Sequence, residues 1–362
     1  MATFREVAFA DVPGWRDDNL AEAWLAFGAS CKALLARPAS RDAWRGVCAA
    51  ASAVDASRTV AVRAFFETQF SPYQIESREG TRVQTDGLIT GYYEPLLRGS
   101  RVADARYRYP LYAPPDDLLT VELSGLYPEL EDKRVRARVE GRRVVPYWTR
   151  ADIESGRAPV SGKELVYVDD PVEAFFLQIQ GSGRIALPDA SVVRLGYADQ
   201  NGQPYRSIGR VLVERGELSL DQASMQGIKQ WASDHPEALP ALLDENPSYV
   251  FFREAPADPD APIDGPRGAL GVPLSPGRSI AVDPRFIPLG APVFVATTWP
   301  LSSRPLARLM LAQDTGGAIR GPVRADWFWG FGDDAAREAG RMKQEGRLWL
   351  LWPKGAPPPP MR

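Results

Sequence analysis

A mainly β fold with α-helical additions is what the chain predicts, and three observations predict it. From Gly87-Leu-Ile-Thr-Gly-Tyr-Tyr-Glu-Pro95 onward, short β-rich runs are punctuated by Gly and Pro. After residue 266, the runs RSIAV, PVFVATT, ARLMLAQ and RLWLL read as four strands with tight turns between them. The first seventy residues differ, because their apolar residues recur at helical spacing.

In that N-terminal stretch Leu20, Trp24, Phe27, Cys31 and Leu34 would share one helix face, as would Trp44, Val47 and Cys48, and then Ala61, Phe65 and Phe66. Arg37-Pro38-Ala39-Ser40 reads as the breaker between the first two helices. An antiparallel pair would bring Cys31 and Cys48 within bonding distance, with a disulfide and two buried thiols equally admissible. A disulfide would favour an oxidising compartment. Beyond Pro95, strands are expected near 107–112, 142–148 and 164–168, a barrel or sandwich texture. Helices are expected over 171–177, over 207–215 ending at Gly216, and over 219–233 with Asp221 and Gln222 in the first turn. The Pro- and Asp-rich segment 254–266 is the expected solvated crossing between domains. A helix over 333–342 is expected to carry Asp333 at its N-cap and to stop near Gly346, and 356–362 to be an extended tail.

Composition narrows the function. At 362 residues, 44% apolar and 25% charged, the chain has room for about two domains. Its 43 basic and 46 acidic residues leave a net charge of -3, and no basic stripe alternates with aromatics, so nucleic acid is not an expected partner. No stretch approaches the roughly 18 apolar residues of a membrane span. The opening MATFREVAFADVPGW has neither the charged nor the apolar region of a signal peptide, which leaves a cytosolic protein or a processed form. Two cysteines without CxxC spacing and a single histidine argue against a metal centre built from Cys and His.

What is absent also prunes the chemistry. His235, the only histidine, lies in Ser-Asp-His-Pro-Glu at a helix end, where a solvated or capping role is expected; Ser-His-Asp and Cys-His arrangements are then hard to build. Gly181-Ser-Gly183 is too short a signal for a nucleotide site, and no cofactor is implied. Carboxylates remain. Asp283 in AVDPRFIPLG, Asp314 in AQDTGGAIRG and Asp326 in RADWFWG fall at expected strand ends. Turn support is the favoured reading for Asp283 and Asp314. Asp326 follows Arg324 and precedes Trp327, Phe328 and Trp329, rings that would raise its pKa as a general acid requires, so catalysis and turn support balance there. Ten Trp, twelve Tyr and fourteen Phe include several beside glycines, as at Gly91-Tyr92-Tyr93, which suits stacking on sugars, although most aromatics build cores. Gln178, Gln180 and Ser182 in LQIQGSGRI suit hydroxyl and acetamido groups, with a helix end and turn as the equal alternative.

Gly91-Tyr-Tyr-Glu-Pro95, Leu177-Gln-Ile-Gln-Gly-Ser-Gly183, Gly196-Tyr-Ala-Asp-Gln-Asn-Gly202, Tyr205-Arg-Ser-Ile-Gly209, Asn246-Pro-Ser-Tyr-Val-Phe-Phe252 and Asp314-Thr-Gly-Gly-Ala-Ile319, in this order, resemble the membrane-bound lytic murein transglycosylase A family from about residue 70 to 352. The last motif alone would indicate only the widespread three-aspartate domain. The resemblance implies a double-psi β-barrel assembled from 1–95 and 247–362, with the three-aspartate region at 268–352. A second, smaller β-barrel would be inserted at 96–246, and a peptidoglycan glycan strand would lie in the groove between. It implies non-hydrolytic cleavage of the β-1,4 bond between N-acetylmuramic acid and N-acetylglucosamine, leaving 1,6-anhydro ends. Asp326 would be the single acid/base, supported by Asp314, Asp283 and Arg324. Substrate contacts would come from Tyr92, Tyr93, Glu94, Gln180, Gly181, Ser182, Gly183 and Trp327. Glu94 as a second carboxylate in the groove stands against a solvated or hinge role.

The resemblance further implies a periplasmic, outer-membrane-associated protein, although no lipoprotein signal or acylated N-terminal cysteine is in this sequence. One more residue than the family pattern separates Gly321 from Asp326, which leaves Arg324 two before the aspartate and implies a turn of altered length. No protein partner, such as a cell-wall synthesis or division protein, is legible. Two rivals frame this reading. An aspartic protease needs two Asp-Thr-Gly motifs, whereas this chain has one, and Asp326 precedes Trp-Phe. A non-catalytic, expansin-like glycan binder on the same barrel is the stronger alternative.

Overall fold

The computed structural model describes residues 2–127, 135–220, 222–255 and 262–357. The chain forms two compact units, one from Met1–Tyr93 with Asp258–Arg362 and the other from Glu94–Ala257.

The first unit opens with a strand the apolar spacing did not reveal, β1 (Ala2–Glu6), which pairs antiparallel with β2 (Phe70–Glu79). Between them lie α1 (Trp24–Ala36), α2 (Pro38–Ala51) and α3 (Thr59–Gln69). Pro38 is not part of a breaker: it is the first residue of α2, where its missing N–H is one that no helix satisfies internally. Phe27, Leu34, Trp44 and Phe66 are buried in one cluster, and Cys31 and Cys48 are joined by a disulfide with their Cα atoms 5.6 Å apart. Of the two admissible states of that pair, the helix packing selects the bond. The unit continues through β3 (Arg82–Gln84) into β4 (Asp86–Glu94).

The second unit holds β5 (Leu96–Ser100), β6 (Tyr109–Tyr112), β7 (Leu119–Val121), β8 (Val135–Glu140), β9 (Arg143–Pro146), α4 (Arg150–Glu154), β10 (Glu164–Val168) and α5 (Pro171–Gln180). It continues with β11 (Ser182–Ala186), β12 (Val192–Gln200), α6 (Ile208–Glu214), α7 (Met225–Asp234), α8 (Leu239–Asp244) and β13 (Val250–Glu254). One sheet runs β13-β12-β11-β5-β10-β6 and a smaller one β7-β8-β9. Val166, Val168, Ile185, Leu195 and Phe252 form the core of the larger sheet, and Phe175, Leu212, Trp231 and Leu242 join α5 to α6, α7 and α8. The helix expected from 219 begins only at Met225, because Ser224 caps it through Gly227 N while Ser219 bonds to Gln222 outside it; Asp221 lies outside the described residues. His235 ends that helix, stacked on Trp231 with Nδ1 at 3.0 Å from the Trp231 carbonyl.

The expected crossing at 254–266 includes 256–261, and the expected tail includes 358–362, both outside the described residues. The chain then completes the first unit with β14 (Ser279–Val282), β15 (Pro292–Thr298), β16 (Pro305–Asp314), β17 (Arg324–Phe331), α9 (Gly332–Arg341) and β18 (Lys343–Pro353). Strands β18-β15-β16-β14-β17-β4 follow one another, and β18 also pairs with β4, so the ring closes on itself. Strand β17 was not among the four expected, so Asp326 lies inside a strand and not at a strand end. Asp333 sits in the first turn of α9, while Phe331, whose side chain cannot cap, occupies the N-cap. Gly346 does not stop that helix but lies within β18, where an added Cβ would come within 2.6 Å of Ile89.

Candidate active site

Strand alternation decides which side chains can meet. On β17, Asp326 and Phe328 face one way and Ala325, Trp327 and Trp329 the other. Phe328 joins Tyr92, Leu274, Ala281 and Ile319 in a small apolar cluster, whereas Trp327 is 1% exposed and belongs to the main core. Trp327 is therefore no sugar platform. The rings expected to raise the Asp326 pKa are mostly on the wrong face.

Register aligns the two central aspartates. Ala281 of β14 is opposite Asp326 of antiparallel β17 and also opposite Asp314 of parallel β16. The three residues form a row, with the small methyl of Ala281 between two carboxylates whose strands are about 10 Å apart. Burial raises the Asp326 pKa above the ordinary carboxylate value, opposed by a hydrogen bond from Thr90 and the charge of Arg324. Thr90 Oγ1 donates to Asp326 Oδ1 and accepts from Arg324 Nη2 at 2.8 Å. Asp314 accepts from Ala269 N at 2.9 Å and from the Tyr92 hydroxyl at 3.0 Å. Its burial outweighs these bonds and lifts its pKa to about 6, with the Asp326 charge adding to the rise.

Asp283 behaves in the opposite way. It is fully buried, which alone would raise its pKa, but Arg285 binds both its oxygens at 2.9 and 2.6 Å and Gly321 N donates at 2.8 Å. Those bonds win and hold it below the ordinary value. Because Gly321 ends the run that leaves Asp314, Asp283 anchors the connection between Asp314 and Asp326.

Residues 88–253 match the MltA specific insert domain and 278–352 match the 3D domain. A membrane-bound lytic murein transglycosylase A of Vibrio cholerae is 32% identical over 283 residues, 76% of this chain and 67% of that protein. The crystal structure of MltA from Neisseria gonorrhoeae, monoclinic form, superposes with a TM-score of 0.84 at 39% identity, covering 100% of this chain and 95% of that one. The chain belongs to the MltA family of membrane-bound lytic murein transglycosylases. Its mixed α/β fold has the sheets of that family. Escherichia coli MltA with bound chitohexaose is also similar, with a TM-score of 0.70 at 26% identity over 98% of this chain and 95% of that one.

Tyr92 reaches Asp314, and Tyr93 follows it as the last residue of the first unit. Glu94 is neither solvated nor a free carboxylate: it is 2% exposed and paired with Arg184 at 2.9 Å. Gln180, Gly181, Ser182 and Gly183 lie at the α5–β11 junction, inside the region matching the insert domain. Gly181 is the left-handed C-cap of α5 at φ 79°, which suits a residue without a Cβ. A Cβ on Gly183 would come within 2.3 Å of Leu177, so that glycine is required for packing. Sequence reasoning missed Thr90, Ala281 and Ala269. Thr90 carried one weak signal, since it lies two residues before Tyr92 on the same face of β4. Gln313 was missed as well; fully buried beside Asp314, it ties β16 to α1 through Ala26 O and Ser30 Oγ.

Proposed function

We propose that this chain cleaves the β-1,4 bond between N-acetylmuramic acid and N-acetylglucosamine in peptidoglycan, with Asp326 as the single acid/base, and leaves 1,6-anhydromuramic ends. The observation that carries the reading is a half-buried carboxyl with its pKa raised by burial, held on one oxygen by Thr90. Asp283, pulled low by Arg285 and Gly321, is ionised support, and Asp314 is held by Tyr92 and Ala269. The closed ring of strands supports a double-psi barrel, with Glu94–Ala257 as the inserted domain. Family membership supports a periplasmic, outer-membrane-associated location; among the described residues no helix is long and apolar enough to cross a membrane.

In this mechanism Asp326 gives its proton to the bridging oxygen as positive charge builds at the muramic C1 and the glycosidic C–O bond breaks. General acid catalysis of this kind contributes about 10²–10⁴-fold. The carboxylate then takes the proton of the C6 hydroxyl of the same sugar. That oxygen bonds to C1, closing the anhydro ring and returning Asp326 to its protonated form. No water is consumed, so the water-activating or nucleophilic second carboxylate of ordinary glycosidases, about 5–10 Å away, has no task here. Mass spectrometry of products from purified sacculi tests this, because an anhydro end is lighter than a hydrolysed end by one water. Asp326→Asn should abolish these products. Near-normal release by that variant would refute the assignment, and sacculus binding without soluble products from the unaltered chain would favour the expansin-like alternative.

A further inference from the structure

The two oxygens of Asp326 are not equivalent. Arg324 carries only donors. Its Nη1 is fixed on the carbonyls of Ala325 at 2.5 Å and Leu88 at 3.3 Å, and its Nη2 donates to Thr90 Oγ1 at 2.8 Å. Thr90 Oγ1 is thus an acceptor toward Arg324, and its one hydroxyl proton is directed at Asp326 Oδ1. Among the described residues no hydrogen bond reaches Oδ2. A proton on Oδ1 would point at the hydroxyl that already donates there and would force the Thr90 proton away from its acceptor. The same proton on Oδ2 leaves the whole chain of donors intact.

We infer that Arg324 and Thr90 are positioning residues that confine the transferable proton of Asp326 to Oδ2. Resting on the acid/base reading above, this inference makes that one atom both the donor and the later acceptor. The Oδ2–H bond breaks as the bridging oxygen gains its proton, and Oδ2 then receives the C6 hydroxyl proton. Oδ1 remains bonded to Thr90 throughout. The charge state of the carboxyl is shared with three titratable neighbours: Arg324 on its own strand, Asp314 on β16 and Tyr92 on β4. None of these donates to Asp326 directly among the described bonds, so the orientation of the proton comes from Thr90.

Two measurements test it. Neutron diffraction from crystals of the full chain, equilibrated in heavy water at a pD where Asp326 is protonated, should show deuterium on Oδ2 and the Thr90 deuterium pointing at Oδ1. Deuterium on Oδ1, or divided between the oxygens, would overturn the inference even if Asp326→Asn is inactive. The second is kinetic. Thr90→Val should lower kcat about 100-fold with KM unchanged, and Thr90→Ser, which restores the hydroxyl, should recover it. Equal rates in the Val and Ser variants would mean that the methyl and not the hydroxyl matters, and would also overturn it. An active Asp326→Asn variant would overturn the acid/base reading and with it the role of Oδ2 as donor and acceptor, whereas deuterium on Oδ1 beside an inactive variant overturns this inference alone.

Discussion

Tyr92 and Asp314, 222 positions apart in the chain, are joined by a 3.0 Å hydrogen bond from the phenol to the carboxylate. The bond links β4 to β16, strands that are not neighbours in the ring. Burial raises both groups, the Tyr92 phenol well above its ordinary value and Asp314 to about 6.

That pair sets a pH dependence with a definite sign. The folded pKa of Asp314, about 6, exceeds the 3.8 of an exposed carboxyl, so between these values the folded chain keeps a proton that the unfolded chain has released. The associated stability is complete below about pH 4 and is lost as pH rises through about 6, by at most about 3 kcal/mol. Urea unfolding of the wild type and Asp314→Asn at several pH values should show the difference between them moving in favour of the variant from pH 4 to 7. A difference independent of pH would contradict the raised pKa.

Glu94 provides a test between a substrate contact and a structural ion pair. Removing a buried partner of this kind costs about 3–5 kcal/mol, so Glu94→Ala should lower the unfolding free energy substantially. KM for glycan strands should be unchanged in the fraction that remains folded. A raised KM at unaltered stability would return Glu94 to the substrate-binding set.

The disulfide closes a loop of 17 residues between Cys31 and Cys48. A loop of that size corresponds to about 3 kcal/mol of stability in the chain-entropy account. The double variant Cys31→Ser, Cys48→Ser should lose about 2–4 kcal/mol in urea. The native chain should show no thiol reactive toward a colorimetric reagent until a reductant is added.

Gly91 lies between Thr90 and Tyr92, and a Cβ there would come within 2.6 Å of Trp329 Nε1 and 2.9 Å of the Ala339 backbone. Gly91→Ala should therefore cost about 1–3 kcal/mol by overpacking. It should also lower kcat, because β4 carries both residues that bond the aspartates. Full activity with reduced stability would show that the strand can shift without disturbing Thr90.

What was legible in the sequence was local. Helical spacing marks α1, α2 and α3, and apolar runs mark β14, β15, β16 and β18, because such patterns record which face of one element is buried. Strand β17 escaped because RADWFWG mixes two charged residues with aromatics and a glycine. Its extended form is stabilised by pairing with β14, more than forty residues earlier.

By itself, then, the sequence pointed to a carboxylate as the group to carry any chemistry and, through six ordered motifs, showed which family the chain resembles. Tertiary structure decided the rest: that Trp327 is core, that Glu94 is paired, and that Ala281 separates Asp314 from Asp326. It also supplied Thr90, which reaches Asp326 from 236 positions away. The physical reason is that hydrogen-bond partners and desolvation are set by what the fold brings within a few ångströms, and the spacing of residues along one strand carries no record of the strand across from it.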